Sequence, residues 1–283
     1  MDKAVDRAVD CIWERYGDPL SLADMAQSAL LSRFHFARIF KEQTGVSPGR
    51  FLAAVRIYQA KRMLLISSMT VAAVSSAVGY CSLGSFTSHF TDSVGISPSR
   101  FRRSAPNRPL HNDVSHNHAS HNDVSHNDVS HNDVSHRGGV GACGLLPDSP
   151  VPEGAAMGTV RLPEGYAGAR VYLGVFDTRI LQRRPLSAAM LDVTSQRSHP
   201  YWLPRAPAGR WFLHAVAVAD TDEPEPWTQR HLLVGGGDQV GATLGAITLR
   251  PRSRTDLPAL LALPDLEAEL DGLTHSVAHA RGC

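Results

Sequence analysis

Residues 32–51, SRFHFARIFKEQTGVSPGRF, return fifty positions later as residues 82–101, SLGSFTSHFTDSVGISPSRF. Ser32, Phe36, Phe40, Gly45, Ser47, Pro48, Arg50 and Phe51 fall on Ser82, Phe86, Phe90, Gly95, Ser97, Pro98, Arg100 and Phe101. A repeat of this period means one supersecondary unit used twice. Each copy carries its own punctuation. Ser32 or Ser82 is a helix N-cap, and the two phenylalanines four residues apart share one helix face. Gly45 or Gly95 stops the helix, and the following Ser-Pro caps and opens the next one.

The residues around each copy extend the unit. Residues 1–16 read as an amphipathic helix on Val5, Ala8, Val9, Ile12 and Tyr16, ended by Gly17-Asp18-Pro19. Ser21 caps a short helix with a stripe of Leu22, Met25, Ala26 and Ala29. A tight turn through Leu30-Leu31 leads to the Ser32 cap, so the pair reads as a helix-turn-helix. On its second helix Phe34, Phe36, Ile39 and Phe40 favour the core, while Arg33, His35, Arg38 and Lys41 fall largely opposite. Pro48 opens a helix to about Ile66, which at 1.5 Å per residue spans about 28 Å. One turn of DNA is roughly 34 Å, so this rod is a fitting spacer between two groove-reading helices. The second unit then follows: residues 71–78, a turn at Gly79-Tyr80, the Ser82 cap, and a last helix over 98–103.

Charge agrees with this division. Residues 1–110 hold 14 Lys and Arg against 8 Asp and Glu, whereas residues 137–283 hold 14 Arg against 15 acids. A basic first domain points to an anionic partner, nucleic acid foremost.

FARIFKEQTGVSPGRFL, VGYCSLGSFTSHFTDSVGISPSRFR and the spacer between them resemble the DNA-binding domain of AraC/XylS-type transcription regulators, over about residues 3–104. That resemblance implies seven helices and double-stranded DNA as partner. Carried over by position, it implies base contacts from Arg33, Phe34 and Arg38, with His35 and Lys41 nearby, and from Leu83, Gly84, Ser85, Ser88 and His89. Phosphate contacts are expected at Ser32, Arg50, Ser82, Arg100 and Arg102. The chain departs from the family pattern at Leu30, where Gly is usual, at Ser75, where Ala is usual, and at Asp92, where a basic residue is common. Residues 69–99 contain no Lys or Arg, so the first unit is expected to carry most sequence readout.

Residues 111–136 repeat a five-residue SHNDV unit with half of the 14 histidines: His111, His116, His118, His121, His126, His131 and His136. Without aromatics this tract buries too little to order itself, so a disordered linker is expected over 106–152. A spacer is the favoured reading of it over a metal-responsive tether. Cys11, Cys81, Cys143 and Cys283 lie far apart with no ligand spacing, so reduced thiols are expected, two of them in the helical core, and no metal or cofactor.

From Met157 the texture changes to short strands: MGTVRL, ARVYLGVFD, HPYWL, RWFLHAVAVA, RHLLVG and VGATLGAITLR. These suggest an antiparallel sandwich over 153–255, followed by a helical tail over 256–283 interrupted at Pro264. Trp211, Leu213, Ala215 and Ala217 alternate with Phe212, His214, Val216 and Val218, and residues 235–238 (Gly-Gly-Gly-Asp) read as a hairpin turn. GTVRLPEGYAGARVYLGVFD, YWLPRAPAGRWFLHAVA and LGAITLRP are similar to prealbumin-like or carboxypeptidase-regulatory-like β-sandwich modules, which implies binding or packing and no one ligand.

The expected fold is therefore multidomain: an all-α double helix-turn-helix domain over 1–105, a disordered His-rich linker and a mostly-β sandwich. No catalytic motif stands out; His199, His214 and His231 are scattered, and no enzyme is expected. With no signal-peptide pattern and no apolar run of about 18 residues, a cytoplasmic protein without a membrane partner is expected. A small-molecule effector at the C-terminal domain and a homodimer stay open. The alternative is a sandwich that binds carbohydrate or peptide, through aromatics such as Tyr201, Trp202, Trp211 and Trp227, beside a weak DNA-binding module.

Overall fold

The computed structural model describes residues 3–103, 155–166, 168–193, 197–203, 210–219, 232–240 and 244–262. The His-rich tract, Cys143, Cys283, Trp227 and His231 lie outside them. Seven helices come first: α1 (Lys3–Arg15), α2 (Leu22–Ser28), α3 (Arg33–Thr44), α4 (Pro48–Ile66), α5 (Val71–Ala77), α6 (Leu83–Val94) and α7 (Pro98–Arg103). The punctuation acts as the repeat requires. The side chains of Ser32, Ser47, Thr70 and Ser82 accept from the backbone N–H three residues on, and Gly45 and Gly95 end α3 and α6 with φ of 79° and 93°.

Each unit is closed by the same chain of aromatic rings. Phe36, Phe40 and Phe51 pack edge to face with centroids 5.3 and 5.5 Å apart; Phe86 and Phe90 meet as a tilted pair at 5.6 Å, and Phe90 and Phe101 edge to face at 5.7 Å. All six are buried, together with Val5, Val9 and Ile12 of α1 and Val55, Ile57 and Leu64 of α4. Phe34 departs from its periodicity: it is 84% exposed, because the stripe through Phe36 and Phe40 already faces the core. Cys11 is only half-buried and Cys81 exposed, so the expectation of two core cysteines fails for Cys81, which sits in the turn before the Ser82 cap.

The two turns explain one departure from the family pattern. Gly79 takes φ 82°, and Leu30, the corresponding residue of the first unit, takes φ 58°. This is left-handed backbone that costs a β-carbon-bearing residue about 1–2 kcal/mol. Leu30 remains 78% exposed, so no packing offsets that cost.

Eight strands follow: β1 (Ala156–Arg161), β2 (Ala169–Phe176), β3 (Ser187–Val193), β4 (His199–Leu203), β5 (Arg210–Ala219), β6 (Leu232–Val240), β7 (Ala246–Thr248) and β8 (Arg250–Pro251). They form a three-stranded sheet, β4-β1-β7, and a five-stranded sheet, β3-β2-β5-β6-β8. Val160, Leu203 and Ile247 of the first sheet share a core with Val171, Leu173, Trp211, Leu213, Ala215 and Ala217 of the second. The alternation along β5 is thus the one its sequence shows.

Three sequence expectations are corrected, and one strand is added. The sandwich is not wholly antiparallel, since β1 pairs with β7 in parallel. SAAMLDV, whose small residues hide the strand signal, is β3. Residues 235–238 are not a turn but part of β6, paired to β5. Gly236 takes φ 134°, and a Cβ there would fall 2.1 Å from the Leu213 carbonyl oxygen, so glycine serves close backbone approach. Residues 257–262 are not helical. Pro258 has no N–H and disfavours helix before it, and the Leu260 N–H donates instead to the Leu181 carbonyl. The rest of the tail lies outside the described residues.

This 257–262 strap joins the two domains. Leu260 and Ala262 enter the helical core, whereas Ala259 and Leu261 pack with Tyr172, Phe176, Leu181 and Val216 on the outer face of the five-stranded sheet. Lys61 of α4 is fully buried against it, its Nζ donating to the carbonyls of Ala259 (3.3 Å) and Leu261 (2.5 Å).

Candidate nucleic-acid interface

The cap at Ser32 projects the first turn of α3 into solvent. Arg33, Phe34 and His35 there, and Arg38 and Lys41 on the following turns, are all exposed. They form one basic surface with an apolar ring at its tip.

On α6, Leu83 is 46% exposed and Gly84, Ser85 and Ser88 are exposed. A Cβ at Gly84 would meet nothing, so that position leaves backbone open to an approaching partner. His89 is half-buried, its Nδ1 2.5 Å from the Tyr80 hydroxyl. Burial lowers the His89 pKa against the opposing pull of Asp92, and raises that of Tyr80 to about 12. A neutral imidazole whose Nδ1 accepts from Tyr80 carries its proton on Nε2 and presents a donor there. Tyr80 lies nine residues before His89, in the turn between α5 and α6, at a spacing that no helix periodicity would link.

The residues expected at phosphates divide in two. Arg50 and Arg100 are exposed near the N-terminal ends of α4 and α7. Ser32 is engaged as a cap, and the Ser82 hydroxyl both accepts from the Ser85 N–H and donates to the Ser85 Oγ at 2.8 Å. Arg102 donates to the Met69 carbonyl, tying α7 to the chain before α5.

The β domain meets the opposite ends of both exposed helices. At α3, a Cβ on Gly45 would fall 2.6 Å from Arg179 Cδ. At α6, Arg183 pairs with Asp92 at 2.8 Å, and its N–H donates to the Ser93 carbonyl at 2.8 Å. The acid at position 92, unusual for the family, thus holds the second domain. The N-terminal turns of α3 and α6 stay clear.

Tyr201 and Trp211 are 1% exposed, in the sandwich core rather than on a surface. His214 Nε2 lies 3.4 Å from the Thr178 carbonyl oxygen, and His199 is half-buried in β4. No group of His, Cys, Asp or Glu among the described residues could hold a metal ion, and no helix there is long and apolar enough to cross a membrane.

A family model described as "Helix-turn-helix domain" matches residues 25–104. The chain is 36% identical over 104 residues (37% of this chain, 35% of the relative) to an uncharacterized HTH-type transcriptional regulator of Haemophilus influenzae. It is 31% identical over 102 residues (36% and 37%) to the lactose operon transcription activator of Staphylococcus xylosus. It spans only about a third of the length of these curated relatives. Among solved structures it is similar to the DNA-binding domain of AdpA, a global transcriptional factor in complex with a target DNA, at 29% identity and a TM-score of 0.34, over 35% of this chain and 90% of that one. The family match ends at residue 104, and the likeness of residues 156–251 to prealbumin-like modules finds no support in these matches. Residues 25–104, with their repeated capped units on a shared spacer helix, are a helix-turn-helix domain of the AraC family.

Proposed function

We propose that the chain is a sequence-specific DNA-binding transcription regulator, not an enzyme, whose helical domain reads the major groove with the N-terminal turns of α3 and α6. The observation that carries this reading is that both turns are exposed while the β domain takes the C-terminal ends. Two relatives similar to this chain over about 100 residues are named a transcriptional regulator and a transcription activator.

Arg33 and Arg38 supply guanidinium forks suited to guanine edges, and Phe34 and Leu83 offer apolar contact to thymine methyls. Ser85, Ser88 and the His89 Nε2–H give α6 a weaker, uncharged readout. Arg50 and Arg100 supply phosphate contacts that position the domain and carry no sequence information. The β domain is the regulatory or assembly part; with Tyr201 and Trp211 buried, nothing favours a carbohydrate-binding face built on them. Arg38→Ala is expected to lower the preference for the best duplex over random DNA by about 1–3 kcal/mol, measured by competition binding. An unchanged preference would overturn the assignment of α3 as principal reader.

A further inference from the structure

A cleft of about 320 Å³ opens where α1 and α4 meet the strand-end segment after β8, lined by Trp13, Tyr58, Gln59, Arg62, Arg252, Ser253 and Arg254. Its volume is at the lower end of small-molecule sites. Three arginines converge on it; among the described residues the acid ion-paired to them is Asp10, which holds Arg254 at 3.1 Å, while Asp256 acts on Arg252 from further off. Arg62 Nε, Arg252 Nε and Arg252 Nη2 are buried without a hydrogen-bond partner among the described residues. Leaving a charged donor buried and unmatched costs at least about 1–3 kcal/mol.

The arginines are held by packing. The Arg252 guanidinium lies 4.8 Å from the Tyr58 ring centroid and 5.5 Å from that of Trp13, and those two rings meet edge to face at 5.7 Å. Trp13 Nε1 donates to the Arg254 carbonyl at 2.9 Å, which fixes the segment over the helices. Lys61, the residue before Arg62 on α4, is a buried amine close enough to Arg252 for the two to repel. This is a cation-rich, half-enclosed site: Gln59 Oε1 accepts from Arg62 Nη1 at 3.4 Å, and the remaining buried donors of Arg62 and Arg252 lack acceptors among the described residues. Carboxylate and phosphate oxygens supply them in the bidentate geometry that arginine prefers.

We propose that this cleft binds a small oxyanion, the carboxylate or phosphate group of a soluble metabolite, through Arg62 of the helical domain and Arg252 of the β domain. Because one arginine comes from each domain, the ligand bridges them at the spacer helix that separates the two readers. The larger cavity of about 460 Å³ on the far side of Arg252 is less suited, since Asp256 neutralises Arg250 there and Arg179 lies over Phe212. The site stands on the geometry of the seam and needs no DNA.

The test is titration of the full chain with inorganic phosphate and, separately, with benzoate, each against sodium chloride at equal ionic strength. Tryptophan fluorescence, to which Trp13 in the cleft contributes, and thermal midpoint are the readouts. The expected result is a saturable response to at least one of the two anions, weakened tenfold or more by Arg62→Gln and by Arg252→Gln and unchanged by Arg161→Gln on β1. The anion that binds says whether carboxylate or phosphate is preferred. Far-UV circular dichroism checks each variant; should Arg252→Gln not fold, Arg62→Gln alone decides. A response that follows ionic strength as chloride does, or that Arg62→Gln leaves within twofold, overturns the proposal.

Discussion

Lys61→Met probes the seam between the domains, because Lys61 is a fully buried ammonium donating to two carbonyls of the strap. Burial, with Arg252 adding repulsion, lowers its pKa from 10.5 to about 7. In the unfolded chain the amine keeps its ordinary pKa, so between about pH 7 and 10.5 the unfolded state binds more protons than the folded one. Stability therefore rises with pH across that window, by at most about 1.4 kcal/mol per unit, and the contribution is lost as pH falls through about 7. Between pH 6 and pH 9 the wild type should gain roughly 2–3 kcal/mol relative to Lys61→Met, whose thioether is similar in length and uncharged. The assay is urea unfolding of both full-length proteins at pH 6, 7, 8 and 9, taking the difference so that histidine titration cancels. Below pH 7 the variant should equal or exceed the wild type, despite leaving the Ala259 and Leu261 carbonyls without that donor. Parallel stability–pH curves for the two proteins would refute the reasoning, since Lys61 would then be equally ionised folded and unfolded.

Two further substitutions follow from the helical domain. Leu30→Gly relieves left-handed backbone at an exposed site and should raise the urea-unfolding free energy by about 0.5–1 kcal/mol, after the extra unfolded-state entropy of glycine; a loss of stability would contradict it. Phe90→Ala removes the middle ring of the second aromatic chain and should cost about 3–5 kcal/mol by the same measurement. A cost under about 1 kcal/mol would mean the second unit is not packed as described.

The helical domain was legible because each signal is local and stated twice. Ser47-Pro48, Gly45 and the Phe36/Phe40 pair have meaning within a single turn, and Ser97-Pro98, Gly95 and Phe86/Phe90 repeat it. The exposure of Phe34 was not legible, because helical periodicity alone cannot say which of two adjacent apolar stripes meets the core. In the β domain, β3 was hidden by Ser187, Ala188 and Ala189, which lack strand-forming bulk, and the glycines of β6 imitate a turn until Leu213 is placed across from them. The seam was out of reach altogether. Lys61 and Leu261 are 200 residues apart, and nothing near either one signals the other. Asp92 is the informative intermediate case: the sequence marks it as a departure, and the ion pair with Arg183 supplies the reason.

The central claim is that the exposed turns of α3 and α6 read DNA, and selection of the full chain on a random-sequence duplex library, followed by salt titration on the best duplex, tests it most directly. Enrichment of one motif is predicted, with its stronger half about one helical turn from a weaker half read by α6. Phosphate contacts from Arg50 and Arg100, with Lys41 nearby, should give a slope of log K against log salt between about −2 and −3. No enriched motif, with weak binding and a shallow slope, would contradict the account.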